Sequence, residues 1–281
     1  MITRRALLVG TAATSLASGG DASHPGLELY SLRYLAQKDL ASALDTARRL
    51  GFRELEAGDF YGRSAAEFQG LVSARGLRVV SMVADWKALA KSTAEVARNA
   101  GRLRARYVTC TSAPGSAPNG RTMTLDDARR AADAFNRWGR ELGQSGLRLC
   151  FHPHGPEFVP GPDGTLFDTM ARAMDPKVAN FEMDVFWFVF GNQNPAEHLR
   201  RYKGRFLLMH LKDIRPGVRR TFDPATVAEE DSVPIGKGEI DWPSTLRAAR
   251  ESGVEEYFIE EEHPRAVEQI TESLRYLASA R

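Results

Sequence analysis

The stretch that decides the fold is residues 27–33, Leu27-Glu28-Leu29-Tyr30-Ser31-Leu32-Arg33. It contains the first candidate strand of the chain, and no glycine-rich loop follows it. An open, doubly wound sheet usually carries such a loop after its first strand to cradle phosphate groups. The stretch therefore favours a closed barrel and offers no nucleotide-binding loop.

Seven further apolar runs follow this stretch at regular spacing. Together they predict strands over residues 27–32, 54–57, 78–82, 107–111, 148–152, 179–184, 206–211 and 257–261. The segments between them have apolar residues at helical spacing, such as Leu40, Leu44 and Ala47, and several end in a glycine such as Gly51 or Gly253. Eight strand-helix units in about 255 residues predict a single α/β domain, a parallel (β/α)8 TIM barrel.

The composition of the 281-residue chain agrees with one large globular domain. The chain is 43% hydrophobic and 26% charged, which is enough apolar content for a sizeable core. Its net charge of +2, without a basic cluster, excludes nucleic-acid binding as the main activity. Cys110 and Cys150 form no CxxC pair, so we expect neither a disulfide framework nor a thiolate zinc site.

The first 23 residues differ in kind from the rest. Arg4 and Arg5 precede the apolar stretch 6–9 and a run of small residues, without an acidic residue before Asp21. This order is typical of an export signal, and the paired arginines indicate the twin-arginine route. We expect residues 1–23 to be a signal segment, residues 24–281 to be the barrel, and the mature protein to be periplasmic with no membrane span. A short N-terminal helix is the alternative.

Polar side chains interrupt the last four strands at their carboxyl ends, where the active site of a (β/α)8 barrel forms. They come in pairs two residues apart, so both members of a pair share one face: His152 and His154, Glu182 and Asp184, His210 and Lys212, Glu260 and Glu262. Taken singly, each pair could be a salt bridge or a strand-end hydrogen bond. Four in succession favour a divalent metal site with nitrogen and oxygen ligands, because buried polar groups need partners.

Several motifs follow one another along the chain after the signal segment. They are His152-Pro153-His154, Phe181-Glu182-Met183-Asp184, His210-Leu211-Lys212-Asp213, Gly236-Lys237-Gly238-Glu239-Ile240-Asp241 and Tyr257-Phe258-Ile259-Glu260. As a set they resemble the sugar phosphate isomerase/epimerase family, which has the xylose-isomerase-like barrel. The resemblance covers nearly the whole mature chain and extends to residues 27–33 and 56–64.

The resemblance implies a divalent ion, either manganese, cobalt, magnesium or zinc, and a small carbohydrate substrate. The implied metal ligands are His152, Asp184, His210 and Glu260. It further implies that His154, Lys212 and Glu56 face the substrate in the same mouth. Two positions depart from the family pattern: Pro153 stands where members often have asparagine, and Val83 where they often have histidine. Asp85, two residues after Val83, is the candidate replacement for that histidine.

The expected reaction is metal-assisted proton abstraction next to a carbonyl, which forms an enediolate. Glu260 or Glu182 is the expected base, and Lys212 suits the developing oxyanion. Because phosphorylated sugars are mainly cytoplasmic, we expect an unphosphorylated sugar or keto-sugar. Return of the proton gives epimerisation or isomerisation, whereas loss of a β-substituent gives the alternative, a 3-keto-glycoside lyase or hydratase. A non-catalytic periplasmic sugar-binding protein is the alternative of another class.

Three further expectations concern the mouth of the barrel. Trp187 is expected to stack on a sugar ring, with core packing as the alternative. The alternative role of Lys212 is an ion pair with Asp213 or Asp184. The proline-containing segment 215–238 is expected to be a long loop over the mouth. The sequence leaves the oligomeric state open, a homo-oligomer included.

Overall fold

The structure is a computed structural model that describes residues 21–115, 122–162 and 164–279. All but the last three residues of the predicted signal segment lie outside the described residues. The described part of the chain contains no helix that is both long and apolar enough to cross a membrane.

Eight parallel strands close into a barrel. They are β1 Gly26–Glu28, β2 Glu54–Ala57, β3 Arg78–Val83, β4 Tyr107–Cys110, β5 Arg148–Phe151, β6 Ala179–Asp184, β7 Phe206–Leu211 and β8 Glu256–Ile259. Neighbouring strands pair in chain order, and β1 closes the barrel on β8, where Leu27 pairs with Ile259. The predicted (β/α)8 TIM barrel is confirmed.

Helices cover the outside of the barrel. They are α1 Arg33–Lys38, α2 Leu40–Arg49, α3 Ala65–Ser73, α4 Trp86–Leu103, α5 Leu125–Gly143, α6 Leu166–Ala173, α7 Val185–Phe190, α8 Pro195–Arg201, α9 Trp242–Ser252 and α10 Ala266–Ser279. Capping sets where several of them begin: the hydroxyls of Ser64, Thr124 and Thr165 each accept the third N–H of their helix, and an acidic side chain there returns the bond.

A second apolar cluster, separate from the main core between strands and helices, contains Val80, Tyr107, Cys150, Leu208 and Phe258. Phe258 pairs in register with His210, so both side chains point into the barrel and the cluster lies next to the polar strand ends. The interior is thus a packed core, as barrels of this size require. Cys110 and Cys150 are buried free cysteines.

Several predicted strands end earlier in the structure. The first stops at Glu28, and Leu29–Leu32 form a 3-10 helix, because the Glu28 carboxylate accepts the Tyr30 N–H at 3.3 Å and turns the chain. The fourth, fifth and eighth end at Cys110, Phe151 and Ile259 instead of residues 111, 152 and 261. His152 and Glu260 therefore lie just beyond their strands, at the rim of the barrel.

Asp213 anchors the long segment after β7. Its carboxylate accepts the amides of Gly236 (2.8 Å) and Gly238 (3.2 Å) and the indole N–H of Trp242 (2.8 Å). A side chain on Gly236 would meet Tyr276, and one on Gly238 would meet Asp213 itself. These contacts account for the glycine-rich motif at residues 236–241.

Val218 and Val227 of segment 215–238 pack against the apolar cluster that contains Trp187, a residue of the cavity wall. Glu229 accepts a hydrogen bond from Arg33 at 2.6 Å, which ties the segment to the start of α1. No residue of this fully described segment is part of the wall of the central cavity. The segment thus packs at the mouth without lining the central cavity, and the expectation of a loop over the mouth stays a prediction.

Candidate active site

A cavity of about 740 Å³ opens at the carboxyl ends of the barrel strands. Seven of the candidate site residues form part of its wall: Glu56, Asp85, His152, His154, Trp187, His210 and Glu260. Three others, Glu182, Asp184 and Lys212, are buried and touch this wall from behind. The sequence thus identified most of one continuous site.

The four predicted metal ligands come together. Asp184 Oδ2 lies 3.7 Å from His152 Nε2 and 4.0 Å from His210 Nδ1. Glu260 Oε2 lies 2.9 Å from the same His210 Nδ1. Separations of about 3–4 Å are those of atoms that each stand about 2.0–2.4 Å from one shared ion.

An additional hydrogen bond fixes the orientation of two of these ligands, His152 and Asp184. His152 Nδ1 hydrogen-bonds to Glu182 Oε2 at 3.0 Å, which leaves Nε2 with the free lone pair. Asp184 accepts the N–H of Phe186 through Oδ1 at 2.8 Å, at the start of α7, and keeps Oδ2 for the cluster. Each of these ligands thus has one atom fixed by the protein and one turned inward.

His210 is held in the same manner from across the barrel. Its Nε2 lies 2.8 Å from Glu56 Oε1 and 3.4 Å from Glu182 Oε1. A carboxylate that accepts one ring N–H of a histidine fixes the tautomer and directs the other nitrogen to a metal. Glu56 therefore positions His210 as well as lining the cavity.

The cluster of His152, Asp184, His210 and Glu260 has the chemistry that a divalent ion requires. His152 Nε2 and Asp184 Oδ2 are buried without a hydrogen-bond partner among the described residues. Such atoms destabilise a fold unless something binds them. Two imidazole nitrogens with carboxylate oxygens are the donor set that zinc and similar divalent ions take in proteins. The residues present fit such an ion.

Burial and charge set the protonation of the carboxylates. Burial raises the pKa of Asp184 to about 8 and the pKa of Glu182 well above its usual range. Burial also acts on Glu260, but the ammonium of Lys212 and the hydrogen bond from His210 outweigh it and hold the pKa of Glu260 well below its usual range. Glu260 is therefore an ionised carboxylate at the cavity wall.

Lys212 is a buried cation with defined partners. Its Nζ lies 2.7 Å from Glu262 Oε1 and 3.7 Å from Glu260 Oε2, and it stands over the rings of Phe186 and Trp187. Despite burial, these carboxylates raise the pKa of Lys212. The alternative in which Lys212 pairs with Asp213 or Asp184 is wrong, because Asp213 faces the 236–242 backbone and Glu262 and Glu260 are nearer.

His154 and Trp187 form one wall of the cavity. The His154 ring stacks on His152 at 4.5 Å and lies 5.2 Å from Trp187. Glu157 fixes the turn that carries it by accepting the N–H groups of His154 and Gly155. Burial lowers the pKa of His154 to about 4, so the ring is neutral at pH 7.

Asp85 lies at the exposed rim, where it caps α4 by accepting the N–H of Ala88 at 2.7 Å. It shares the cavity with His154, but its carboxylate is engaged with the helix. The next residue, Trp86, packs on Trp138 at 4.5 Å and on Phe135, so it belongs to the core.

Glu28 is the residue of this site that the sequence analysis did not assign. It pairs in register with Glu56, and each has one buried carboxylate oxygen without a hydrogen-bond partner in the described part of the chain. Glu28, Glu56 and His210 also bring possible ligand atoms within 4.8 Å of one another. The available signal was a charged residue within an apolar run at the end of β1.

The chain belongs to the xylose isomerase-like TIM barrel family, whose sequence model matches residues 44–280. The family predicted from the motifs is thereby confirmed. Among curated relatives, inosose dehydratase of Clostridium botulinum is 26% identical over 131 residues, which are 44% of this chain and 43% of the relative. The chain thus matches less than half the length of this relative.

Solved structures show the same fold. A sugar phosphate isomerase/epimerase from Parabacteroides distasonis superposes with a TM-score of 0.72 at 23% identity, covering 95% of this chain and 98% of that one. The IolI protein with a bound zinc atom superposes with a TM-score of 0.64 at 14% identity, covering 93% and 94%.

Proposed function

We propose that this protein is a divalent-metal-dependent isomerase or epimerase that acts on an unphosphorylated sugar or keto-sugar through an enediolate. The observation that carries the proposal is the convergence of His152 Nε2, Asp184 Oδ2, His210 Nδ1 and Glu260 Oε2 at the wall of one cavity. A divalent ion held by these residues would supply a Lewis acid for the substrate carbonyl. Zinc, manganese, cobalt and magnesium all remain candidates for that ion.

Glu260 is the proposed base. It is the ionised carboxylate of the wall, since Lys212 and His210 hold its pKa well below the usual range. A carboxylate at the cavity surface, largely shielded from water, can take the proton next to a bound carbonyl. Glu182 has no access to the cavity wall, so its proposed role is to position His152.

Lys212 is the proposed electrostatic partner of the reaction. It is a buried ammonium 3.7 Å from Glu260, so it stabilises negative charge that develops on the substrate beside the base. His154, neutral and next to Trp187, is the proposed hydrogen-bond partner of a sugar hydroxyl, and the indole of Trp187 is proposed to pack against the sugar ring.

Elimination is the second candidate, with a keto-sugar or 3-keto-glycoside as substrate. It is favoured by the curated relatives, which are named inosose dehydratase. Both reactions begin with the same proton abstraction by Glu260. They differ in whether the proton taken by Glu260 returns to carbon or passes to a hydroxyl or glycosyl group, which then leaves as water or an alcohol.

The test begins with the metal content of the purified protein. The protein is then loaded with zinc, manganese or cobalt and incubated with unphosphorylated keto-sugars in deuterated water. Proton NMR distinguishes deuterium at the carbon next to the carbonyl in an epimer or isomer from an unsaturated product of elimination. We expect Glu260→Gln to abolish exchange and Glu268→Gln, an exposed change on α10, to leave it intact.

A protein that takes up no divalent metal and exchanges no substrate proton would refute the enzyme and support a sugar-binding role. Metal uptake with exchange that persists in Glu260→Gln would refute only the choice of base. Phosphorylated counterparts of each sugar serve as the comparison for substrate class, and faster turnover of those would overturn the unphosphorylated assignment.

We also propose that residues 1–23 direct export to the periplasm by the twin-arginine route. The support is the pair Arg4 and Arg5 ahead of an apolar stretch. Cell fractionation of the wild type and an Arg4→Lys/Arg5→Lys variant tests it. Equal periplasmic amounts of both proteins would exclude the twin-arginine route.

A further inference from the structure

The cavity is larger than one sugar ring needs. A hole of about 150 Å³ holds one benzene molecule, whereas this cavity measures about 740 Å³. It extends from the metal-ligand cluster to residues of α4 that neither the metal nor the proposed reaction uses, among them Lys91, Glu95 and Asn99. Room remains for a second ring beyond the one that reacts.

A break in α4 shapes this outer part. The backbone of Ser92 is extended rather than helical (φ −167°, ψ 99°), and Ser92 Oγ accepts the Glu95 N–H at 3.1 Å. Ser92 thus caps a second helical stretch that begins in the middle of α4. Ser92, Glu95 and Asn99 all lie in the cavity wall.

The polar groups at this end have hydrogen-bonding capacity to spare. Among the described residues, neither Lys91 nor Glu95 makes an ion pair. The Asn99 side chain accepts a long 3.4 Å bond from Arg102, which leaves its amide hydrogens available. An ammonium, a carboxylate and an amide together both donate to and accept from sugar hydroxyls.

The segment after β2 adds an aromatic residue to the wall of the same cavity. Tyr61 lines the cavity and keeps a left-handed backbone (φ 53°), although it is not glycine. Asp59 supports the turn by accepting the Tyr61 N–H at 2.7 Å. A left-handed tyrosine is an uncommon, costly conformation that is often retained at functional sites. Its ring offers a flat apolar surface of the kind on which sugar rings pack.

We propose that the outer part of the cavity is a second sugar subsite, so that the substrate is a glycoside with two rings. The reacting ring lies at the metal-ligand cluster, and Lys91, Glu95 and Asn99 hold the second ring through its hydroxyls. This proposal rests on the proposed function for the identity of the reacting ring. The subsite itself concerns binding and is tested without turnover.

The test is calorimetric binding of unreactive sugars to the metal-loaded protein. Maltose, cellobiose and trehalose are the two-ring probes, and glucose is the one-ring reference. We expect at least one disaccharide to bind tenfold or more tightly than glucose. In a Glu95→Ala/Asn99→Ala variant that advantage falls below threefold while glucose binding stays unchanged. Arg98→Ala, an exposed change on the same helix outside the cavity wall, is the matched control and retains the full advantage.

The subsite is refuted if no disaccharide binds more tightly than glucose, or if the control loses as much affinity as the double variant. Failure of the proposed function has a different signature, namely the absence of proton exchange with any keto-sugar despite selective disaccharide binding. The two proposals can therefore fail separately.

Discussion

Replacing Asp213 by alanine tests how the fold holds the segment after β7, and the cost follows from the contacts of its carboxylate. Asp213 is fully buried and accepts two short bonds at 2.8 Å, from Trp242 Nε1 and from the Gly236 amide. Trp242 is also fully buried, so in Asp213→Ala its N–H loses the one partner it has among the described residues, and water does not reach it. An unsatisfied buried donor of this kind costs about 2 kcal/mol.

The Gly236 amide adds a smaller amount. Gly236 is exposed, so water replaces the carboxylate there, and the loss is about 1 kcal/mol. We therefore expect Asp213→Ala to lower the free energy of unfolding by about 3 kcal/mol. Urea denaturation followed by circular dichroism measures this as a lower midpoint at an unchanged slope.

A double-mutant cycle isolates the indole bond. Trp242→Phe removes the N–H and part of the buried ring. The packing loss is the same in both backgrounds, so we expect the substitution to cost at least about 1 kcal/mol less in Asp213→Ala than in the wild type, because the donor has already lost its partner. Equal costs of Trp242→Phe in both backgrounds would contradict this reasoning. So would an Asp213→Ala protein within about 0.5 kcal/mol of the wild type.

Three further predictions concern the site and the core. Glu182→Gln removes the carboxylate that orients His152, and we expect metal affinity to fall about 10- to 100-fold in a chelator competition. Gly139→Ala places a methyl group against the Val178 carbonyl oxygen and is expected to cost about 2 kcal/mol in urea denaturation. Burial lowers the pKa of His198 below its usual value of 6.5, so the unfolded chain binds a proton that the folded protein excludes. His198 therefore does not lower the free energy of unfolding above about pH 6.5, and it lowers that free energy as the pH falls below this value. Between about pH 6.5 and 5 we expect the free energy of unfolding to fall less steeply in His198→Phe than in the wild type.

Gly139→Ala has a matched control variant, and each of the other two predictions has an outcome that would contradict it. Gly143 lies on the same helix as Gly139, but a methyl group there would meet no other atom within 4 Å, so Gly143→Ala is expected to be neutral or slightly stabilising. An unchanged metal affinity in Glu182→Gln would show that His152 needs no support. An unaltered pH profile in His198→Phe would show that this ring does not titrate differently on folding.

The polar residues at the strand ends could be predicted from the sequence because the pattern that marks them is local. His152, Asp184 and His210 each follow an apolar run of β type, and a polar residue at such a position stands out in one dimension. The family resemblance then linked these positions to one another. The exact strand ends were less accessible, because the 3-10 helix after Glu28 depends on a side-chain hydrogen bond rather than on periodicity.

Side-chain contacts between segments that are distant in sequence could not be predicted. Lys212 finds Glu262 rather than its neighbour Asp213, because β8 lies beside β7 and Asp213 turns toward residues 236–242. Glu182 and Asp184 share one face of β6, as alternation predicts, and both lie near His152 and His210. The strand register, rather than any local pattern, decides that Glu182 is the one that hydrogen-bonds to His152.

The sequence by itself determined the barrel, the strand-end residues and the chemical composition of the site, because each depends on the order of side chains along one element. The tertiary structure decided which nitrogen of His210 faces the cluster, that Glu28 stands beside Glu56, and that the break at Ser92 lines the cavity. These features depend on strand register and barrel closure, which bring together residues far apart in the chain.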